Sequence, residues 1–332
     1  MRSRRTVSRQ RGLSLVELMI ALTLGLMLTA AIGYFYLGSR QSYRTQDGMA
    51  RLQENARYAL EVIARDVRMA GYRGCVGPTV PITNTLNNPN QYPWNFAVPI
   101  QGFEATSATV WSPALDASIT SPLGGRDVLT VRGAFGGGTL VTAHAASTAP
   151  LTVNAGSGLQ QGNIVLVADC TDAAVFQITN SSVTTSVEHA AGAGTPGNAS
   201  ADLGKVYTGG ELIQVSTKTY YVRANPAGRP ALYRIEGSNA AQELVENVAD
   251  MQIDYGVDTS GNFAVNSYLT ANNVTDWNQV LSARVNLLVS SEEDNIVPQP
   301  QQFLFDGATV TAPDRRLYKV FSTTIGLRNR LP

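Results

Sequence analysis

The sequence is poor in the residues on which most enzymes and metal sites depend. It contains two histidines and two cysteines in 332 residues, and it has neither a Gly-x-Ser-x-Gly nor a His-Glu-x-x-His motif. Cys75, Cys170, His144 and His189 do not have the spacing of a metal-ligand set. We therefore predict a protein that is not an enzyme and that holds no cofactor and no metal.

Proline is missing from the first 77 residues, and Pro78 is the first of the chain, so no proline interrupts a helix there. Within this segment, residues 13–37 carry a single charge, that of Glu17. As a helix, these residues would be about 37 Å long, which exceeds the ~30 Å hydrocarbon core of a bilayer. We predict that residues 13–37 form a transmembrane helix.

An arginine-rich leader precedes the apolar stretch. Residues 1–12 contain five arginines and no acid, and such a cluster stays on the cytoplasmic side of the membrane, which leaves residues 38–332 outside the cytoplasm. A carboxylate in a membrane helix costs roughly 2.5–3.5 kcal/mol at the bilayer centre, so Glu17 needs a partner. The alternative is a simple signal anchor whose Glu17 reaches the lipid headgroups.

The charge balance does not favour nucleic acid as a partner. The whole chain carries 25 basic and 25 acidic residues. Loss of the leader removes five arginines and no acid, which leaves 20 basic against 25 acidic residues and a net charge of −5. Bulk electrostatic binding to nucleic acid needs an excess of positive charge, so only a local basic patch would support it.

Residues 38–70 continue the helix as an amphipathic segment. Apolar residues recur there at steps of three and four, the period of one helix face, and we interpret the charged residues as a solvated face. Gly71 is placed to end the helix as a C-cap. The apolar stripe comprises Met49, Leu52, Ala56, Ala59, Leu60, Ile63, Val67 and Ala70, and the charged face comprises Arg51, Glu54, Arg57, Glu61, Arg65, Asp66 and Arg68.

After Gly71 the sequence changes to short β-like runs between clusters of glycine, asparagine, serine and proline, which is typical of strands and turns. No alternation of strands with helices indicates a parallel sheet. We therefore predict an α+β fold, in which the long helix packs on an antiparallel β-sheet head of residues 71–332. The clearest runs are Ala108–Ser112, Asp127–Arg132, Asn163–Ala168, Val175–Thr179, Leu212–Val222, Ala231–Ile235, Met251–Val257, Val280–Val289 and Tyr318–Leu327.

The residues at the start of the apolar stretch resemble a known signal. Gly12 is followed by Leu13-Ser14-Leu15-Val16-Glu17-Leu18-Met19-Ile20-Ala21-Leu22, which is similar to the class III signal of type IV pilins and type II secretion pseudopilins. The resemblance implies that prepilin peptidase cuts between Gly12 and Leu13 on the cytoplasmic face of the membrane. It also implies N-methylation of Leu13, which replaces the usual phenylalanine, and a role for Glu17 in assembly.

Such a cleavage would give Glu17 a partner. It leaves Leu13 with a free α-amino group, whose reference pKa is about 8. In a bundle of these helices, the Glu17 carboxylate of one subunit can pair with that amine on a neighbour. The pair satisfies two charges in an apolar setting and sets the axial register between subunits. We therefore interpret Glu17 as an assembly residue.

Blocks towards both ends of the chain resemble PilW-type minor pilins of the type IV pilus. Their order after a class III signal carries the resemblance. It implies a minor pilin that takes part in pilus assembly, within a complex that primes the filament and sits at its tip, with roles in twitching motility and adhesion. The blocks are residues 55–60, 65–72, 232–234, 243–258, 283–289 and 315–330.

The resemblance also implies partners and a location. The partners are prepilin peptidase, other minor pilins, the major pilin, the inner-membrane assembly platform and a tip adhesin. Before assembly, a single pass anchors the chain in the bacterial inner membrane with its head in the periplasm. After assembly, the chain belongs to the pilus, or fimbrium, at the cell surface.

Cys75 and Cys170 both fall on the extracytoplasmic side of the membrane, where disulfides persist. A bridge between them would stabilise the head by ~4 kcal/mol in the chain-entropy model. Two buried free thiols are the alternative.

Two other functions compete with the minor pilin. A J-like pseudopilin of a type II secretion system shares the N-terminal signal and differs in its partners, so neighbouring genes would distinguish it. A membrane-tethered extracytoplasmic binding protein would keep its function after Glu17→Ala. The acidic residues at 258 and 292–294 offer calcium-binding oxygen atoms, but their spacing matches no EF-hand, and we interpret the first as a hairpin turn.

Overall fold

The computed structural model describes residues 12–330. Of the predicted leader, only Gly12 lies within this range, and residues 1–11 with their five arginines lie outside the described residues.

A single long helix, α1, spans Leu15–Met69. It begins two residues later and ends one residue earlier than the sequence predicts, and its 55 residues correspond to about 82 Å. Ala70 is the C-cap, and Gly71 follows it with a φ of +71°. This left-handed conformation favours glycine, and a Cβ on Gly71 would lie 3.0 Å from the Cβ of Pro99.

Only the second half of α1 packs on the rest of the protein, which we call the head. Residues 12–42 are exposed throughout. The first contacts with the head are a hydrogen bond from Gln41 Nε2 to the Ile296 carbonyl (2.6 Å) and an ion pair between Arg44 and Glu293 (2.7 Å). The predicted apolar stripe is confirmed: Leu52, Ala56, Ala59, Ile63, Val67 and Ala70 are buried, and Met49 and Leu60 are partly buried against the same core.

The head consists of β-strands and short 3₁₀ turns. The turns are Tyr92–Trp94, Ala271–Asn273, Trp277–Gln279 and Arg328–Arg330. The strands are β1 (Ile82–Asn84), β2 (Ile100–Ala105), β3 (Trp111–Ser112), β4 (Val128–Ala134), β5 (Thr139–His144), β6 (Leu151–Val153), β7 (Ile164–Ala168), β8 (Ala173–Gln177), β9 (Ser186–Val187), β10 (Gly192–Ala193), β11 (Gly197–Asn198), β12 (Glu211–Ala224), β13 (Pro230–Glu236), β14 (Gln242–Glu246), β15 (Val248–Val257), β16 (Ser267–Leu269), β17 (Val280–Ser290), β18 (Gln302–Phe305), β19 (Ala308–Thr311) and β20 (Tyr318–Gly326).

Two main sheets support α1. A 12-stranded sheet is centred on the long strand β12, which pairs with β4, β5, β7 and β13. A four-stranded sheet has the order β16-β15-β17-β20, and the pairs β10-β11 and β18-β19 are separate hairpins. The α+β class with an antiparallel head is confirmed, except that β1 pairs with β8 in parallel. Long connections permit parallel pairing, and 88 residues separate these two strands.

One predicted strand was partly wrong. The run Ala108–Ser112 becomes a strand only at Trp111, because the chain turns back before it: the Thr106 N–H donates to the Val110 carbonyl over 3.0 Å. The β-like residues just before Trp111 therefore lie in the turn that joins β2 to β3.

Asp66 corrects the prediction of a solvated charged face on α1. It is 3% exposed, and its Oδ1 lies 3.1 Å from the ammonium of Lys218 on β12. The hydroxyl of Tyr220, also on β12, donates to Oδ2. Burial and the neighbouring carboxylate raise the pKa of Tyr220 well above its ordinary value, so the hydroxyl keeps its proton. The sequence carries the signal for this burial, because Asp66 lies three residues after Ile63 and four before Ala70.

Cys75 and Cys170 form a disulfide. Cys75 follows α1 by a few residues, and Cys170 lies in the turn between β7 and β8. The bond therefore links the segment that follows α1 to the turn between β7 and β8 in the 12-stranded sheet, across a sequence separation of 95 residues.

The two histidines of the chain, buried side by side, predict a pH dependence of stability. The Nε2 atoms of His144 and His189 lie 3.0 and 2.8 Å from the same carbonyl, that of Ala149. His144 Nδ1 accepts a hydrogen bond from the Tyr207 N–H over 3.0 Å, which requires a neutral ring. Burial lowers the pKa of both rings, and for His144 the neighbouring His189 lowers it further.

We expect this pair to destabilise the head as the pH falls below about 6.5, the ordinary pKa of histidine. Below that pH the rings bind protons in the unfolded chain more readily than in the folded head. The free energy of unfolding therefore keeps the full contribution of the pair above that pH, and below it falls by up to about 1.4 kcal/mol per pH unit for each ring. Urea unfolding of the full chain in detergent from pH 7.5 to 5 measures the slope. A His144→Gln/His189→Gln variant should show a flatter slope than the wild type.

The comparison with this variant matters because Asp127 acts in the opposite direction. Its burial, with Glu104 nearby, raises the pKa of its carboxyl to about 8, so its contribution to stability falls as the pH rises. Both chains contain Asp127, so the difference between their slopes isolates the histidines. Equal slopes in the two chains would show that the histidine pair does not titrate differently on unfolding.

Candidate assembly site at the start of the long helix

The first turn of α1 holds Glu17 by a capping box. Ser14 is the N-cap, and its hydroxyl accepts a hydrogen bond from the Glu17 N–H over 3.2 Å. In return, the Glu17 carboxylate accepts the Ser14 N–H over 2.9 Å. This reciprocal pattern is typical of Ser-x-x-Glu at a helix start. The Ser-x-x-Glu pattern at residues 14–17 could therefore have predicted this cap, in addition to the pairing of Glu17 with a neighbouring subunit or its approach to the lipid headgroups.

The capping box aims the carboxylate at the end of the helix where cleavage is predicted. Its bond to the Ser14 N–H keeps it over the first turn, where the positive end of the helix dipole also favours a negative charge. Leu13 precedes Ser14 directly and is 79% exposed. A carboxylate has about four acceptor positions, so the bonds to Ser14 leave Glu17 able to accept from a further donor.

The predicted cleavage position lies outside the helix. Gly12 and Leu13 precede the first helical residue, Leu15, and both are exposed. Among residues 12–330, no atom would lie within 4 Å of a Cβ built on Gly12. None of these residues therefore covers the peptide bond between Gly12 and Leu13.

Beyond Glu17, α1 presents an uncovered apolar surface. Among the described residues, one helix has the length and composition to cross a membrane, and its apolar segment is not buried by the head. The large apolar side chains from Leu13 to Leu37 are more than half exposed. An apolar surface of this size marks a contact with lipid or with other proteins. Glu17 is the one carboxylate within it.

The acidic clusters that the sequence offered for calcium have other partners. The Asp258 carboxylate accepts the backbone N–H groups of Ser260, Gly261, Asn262 and Phe263 in the turn that joins β15 to β16, which confirms the hairpin turn. Glu293 pairs with Arg44 on α1. Within residues 12–330, no group of three or more His, Cys, Asp or Glu side chains is placed to hold a metal ion.

Two family models match separate parts of the chain. Residues 7–33 match the prokaryotic N-terminal methylation motif, a range that contains Gly12, Leu13 and Glu17. Residues 219–329 match the type IV pilus-assembly protein W family, a range that extends from the second half of β12 into the last 3₁₀ turn after β20 and covers the four-stranded sheet. No curated protein and no solved structure matched the chain.

Proposed function

We propose that the chain is a minor pilin of the PilW type that takes part in type IV pilus assembly, and that cleavage after Gly12 and a charge pair made by Glu17 bring it into the filament. Its location is the inner membrane, through the apolar half of α1, and the pilus. Prepilin peptidase and other pilins are its partners in general.

The observation that carries the proposal is the geometry at the start of α1. Cleavage between Gly12 and Leu13 would create an α-amino group on Leu13, which N-methylation leaves positively charged. Ser14 holds the Glu17 carboxylate at the same end of the helix. When two processed helices lie side by side with a small axial offset, the carboxylate of one meets the amine of the other. The apolar surroundings strengthen the attraction, and an unpaired charge there would be costly.

The rest of the apolar segment supports the same step. In the membrane, lipid covers its exposed side chains, and in a filament the same side chains would pack against those of other subunits. Lipid chains are as apolar as leucine, so transfer of the segment from lipid to the filament gains little from the hydrophobic effect. It depends instead on packing and on polar pairs between helices. Glu17 supplies the strongest such pair.

We propose further that the subunit acts in the complex that primes assembly and stays at the tip of the pilus, with the assembly platform and a tip adhesin as further partners. The head begins after Met69 and contains 20 strands among the described residues. So bulky a head is accommodated more easily at the end of a filament than along a closely packed shaft. Immunogold labelling uniformly along pilus shafts would contradict this position.

Substitution of Gly12 by valine is expected to block cleavage and keep the subunit out of pili. The bulky side chain would stand beside the scissile bond, where only a glycine lies now. On denaturing gels of membranes, the variant should migrate as a band about 1.4 kDa larger, since twelve residues of roughly 110–120 Da remain attached, and sheared pili should lack it. Gly25→Val, which has open space on α1 in the subunit and lies away from the scissile bond, is the matched control for cleavage. An unchanged mass for Gly12→Val would exclude cleavage at this bond.

A further inference from the structure

Strand β20 forms one edge of the four-stranded sheet and is paired on one side only. Nine residue pairs join it to β17, from Ser282–Gly326 to Ser290–Tyr318, without a shift in register. Within residues 12–330, no other strand pairs with β20. Tyr318 at the start of this edge contacts Gln301 and the Phe303 ring of β18, and the edge is open from Val320 onwards.

Hydrogen bonds at the two ends of β20 show which backbone groups point outward. The Leu317 carbonyl accepts the Ser291 N–H, and the Leu327 N–H donates to the Leu281 carbonyl, both towards β17. The Tyr318 N–H instead donates to the Gln301 side chain, away from β17. Backbone groups alternate in an antiparallel ladder, so Val320, Ser322, Thr324 and Gly326 point their N–H and C=O groups outward.

These outward groups make no hydrogen bond to any described residue. Each of the four residues thus offers one donor and one acceptor along the open edge, which is the pattern an added strand uses. Unpaired edges of this kind readily template pairing with another chain.

The other edges of the two sheets are blunted, and β20 is not. The outer strands β1, β3, β9 and β16 have two or three residues each, and β14 pairs with a register shift and lies against α1. Short strands and bulges are the usual protection of sheet edges. β20 has nine residues, no proline and no bulge. The chain thus keeps one long edge free of the devices that it uses elsewhere.

The open edge runs along the helix that enters the filament. Near the start of β20, Ser291 bonds to Leu317 and lies 3.8 Å from the position of a Cβ on Gly48 of α1. Just after its end, Asn329 Nδ2 donates to the Arg68 and Ala70 carbonyls at the other end of α1. β20 therefore runs in the same direction as the head-bound half of α1, and a subunit that packs beside this helix brings its own head alongside the edge.

The apolar face of the sheet is also only partly covered at this edge. On β17, Val285 and Leu287 are fully buried, whereas their partners on β20, Thr323 and Phe321, remain partly exposed. Thr324 on the opposite face is exposed. A further strand with apolar side chains towards α1 and polar ones on the other face would complete the cover.

We propose that the outer edge of β20 binds an extended edge strand from the head of a neighbouring pilin subunit of a different kind, by main-chain hydrogen bonds. The inference rests on the proposed function, since it assigns the surface through which this pilin meets its neighbour. The bound strand alternates apolar and polar residues. Its register is set by the four outward residues of β20, Val320, Ser322, Thr324 and Gly326.

Thr324→Pro tests the edge against Thr324→Ala. The Thr324 N–H points outward, so proline removes a donor from the edge and no bond to β17, as edge strands tolerate. Alanine removes the side chain and keeps the donor. In cells whose native gene is replaced, we expect Thr324→Pro to lower piliation at least tenfold at an unchanged subunit level, and Thr324→Ala to leave it unchanged. Normal piliation with Thr324→Pro would overturn the proposal.

If the Thr324→Pro variant does not accumulate in cells, hydrogen exchange of the wild-type subunit tests the same proposal. Full-length wild-type subunit in detergent is compared alone and after co-purification with the co-expressed pilins of its own pilus system. Amides of Val320, Ser322, Thr324 and Gly326 should exchange at least tenfold more slowly in the complex, whereas those of Phe321 and Thr323 stay protected in both samples. No change at the four outward amides, or the same slowing in the subunit alone at high concentration, would overturn the proposal.

Glu17→Ala separates this inference from the proposed function. If Glu17→Ala abolishes assembly and Thr324→Pro does not, the edge proposal fails and the proposed function stands. If both variants assemble normally, both fail.

Discussion

Replacement of Glu17 by alanine is expected to lower the incorporation of this subunit into pili by at least tenfold, with normal cleavage after Gly12. In the filament the Leu13 amine of a neighbour would be left without its counter-charge among apolar side chains. Breaking a buried charge pair by removing one partner costs about 3–5 kcal/mol, which exceeds the 1.4 kcal/mol of a tenfold effect. Immunoblots of sheared pili and of membranes, normalised to each other, measure the ratio.

Two matched variants separate the charge of Glu17 from its capping role. Glu17→Gln keeps an acceptor for the Ser14 N–H and loses the charge, whereas Ser14→Ala loses the hydroxyl of the cap and keeps the charge. We expect Glu17→Gln to behave like Glu17→Ala, and Ser14→Ala to assemble nearly as the wild type does. If Ser14→Ala fails and Glu17→Gln assembles, the carboxylate acts only as a helix cap and the pairing is refuted.

Replacement of Asp66 by alanine is expected to lower the free energy of unfolding by about 3–5 kcal/mol. The change leaves the ammonium of Lys218 and the hydroxyl of Tyr220 buried beside α1 without the acceptor that they share. Lys218 keeps only a position 3.9 Å from the centre of the Phe135 ring and a carboxylate oxygen of Glu236 at 4.0 Å. Urea unfolding of the full chain in detergent, followed by tryptophan fluorescence, gives the value.

Two controls for Asp66→Ala change another carboxylate of α1 and both members of the Asp66–Lys218 pair. Glu61→Ala removes an exposed carboxylate from α1 and should change stability by less than about 0.5 kcal/mol. An Asp66→Leu/Lys218→Met double variant removes both charges together and should recover much of the loss, because apolar replacement of a buried pair is often neutral. Equal losses for Asp66→Ala and Glu61→Ala would mean that Asp66 does not hold the helix on the head.

The sequence predicts α1 well because its signals are local. An unbroken apolar stretch, a stripe at steps of three and four, and Gly71 at the end place the helix within two residues. The same rules miss Asp66, since a charge is assigned to the solvated face unless its position in the stripe is checked. They also missed the cap of Ser14, although the Ser-x-x-Glu pattern was there to be found.

The arrangement of the strands is much harder to predict. The long alternating run of β12 identifies a strand, but nothing local shows that it pairs with four others. Strands such as β6 and β9 have two or three residues, too few for a periodic signal, and form because neighbouring strands already offer partners. The parallel pair of β1 and β8 depends on a long connection near the disulfide. The open edge of β20 is likewise a property of the order of the strands.

The buried Asp66 and the capped Glu17 lie near opposite ends of one uninterrupted helix. Asp66 prevents α1 from sliding along its own head, and Glu17 is proposed to fix the axial offset to the next subunit. The 49 residue steps from Glu17 to Asp66 amount to about 74 Å. The length of the helix therefore sets the distance between the head and the amine of the neighbouring subunit with which Glu17 is proposed to pair. An insertion of seven residues between Leu22 and Leu37, close to two full turns, would raise the head by about 10 Å while both contacts stayed chemically intact.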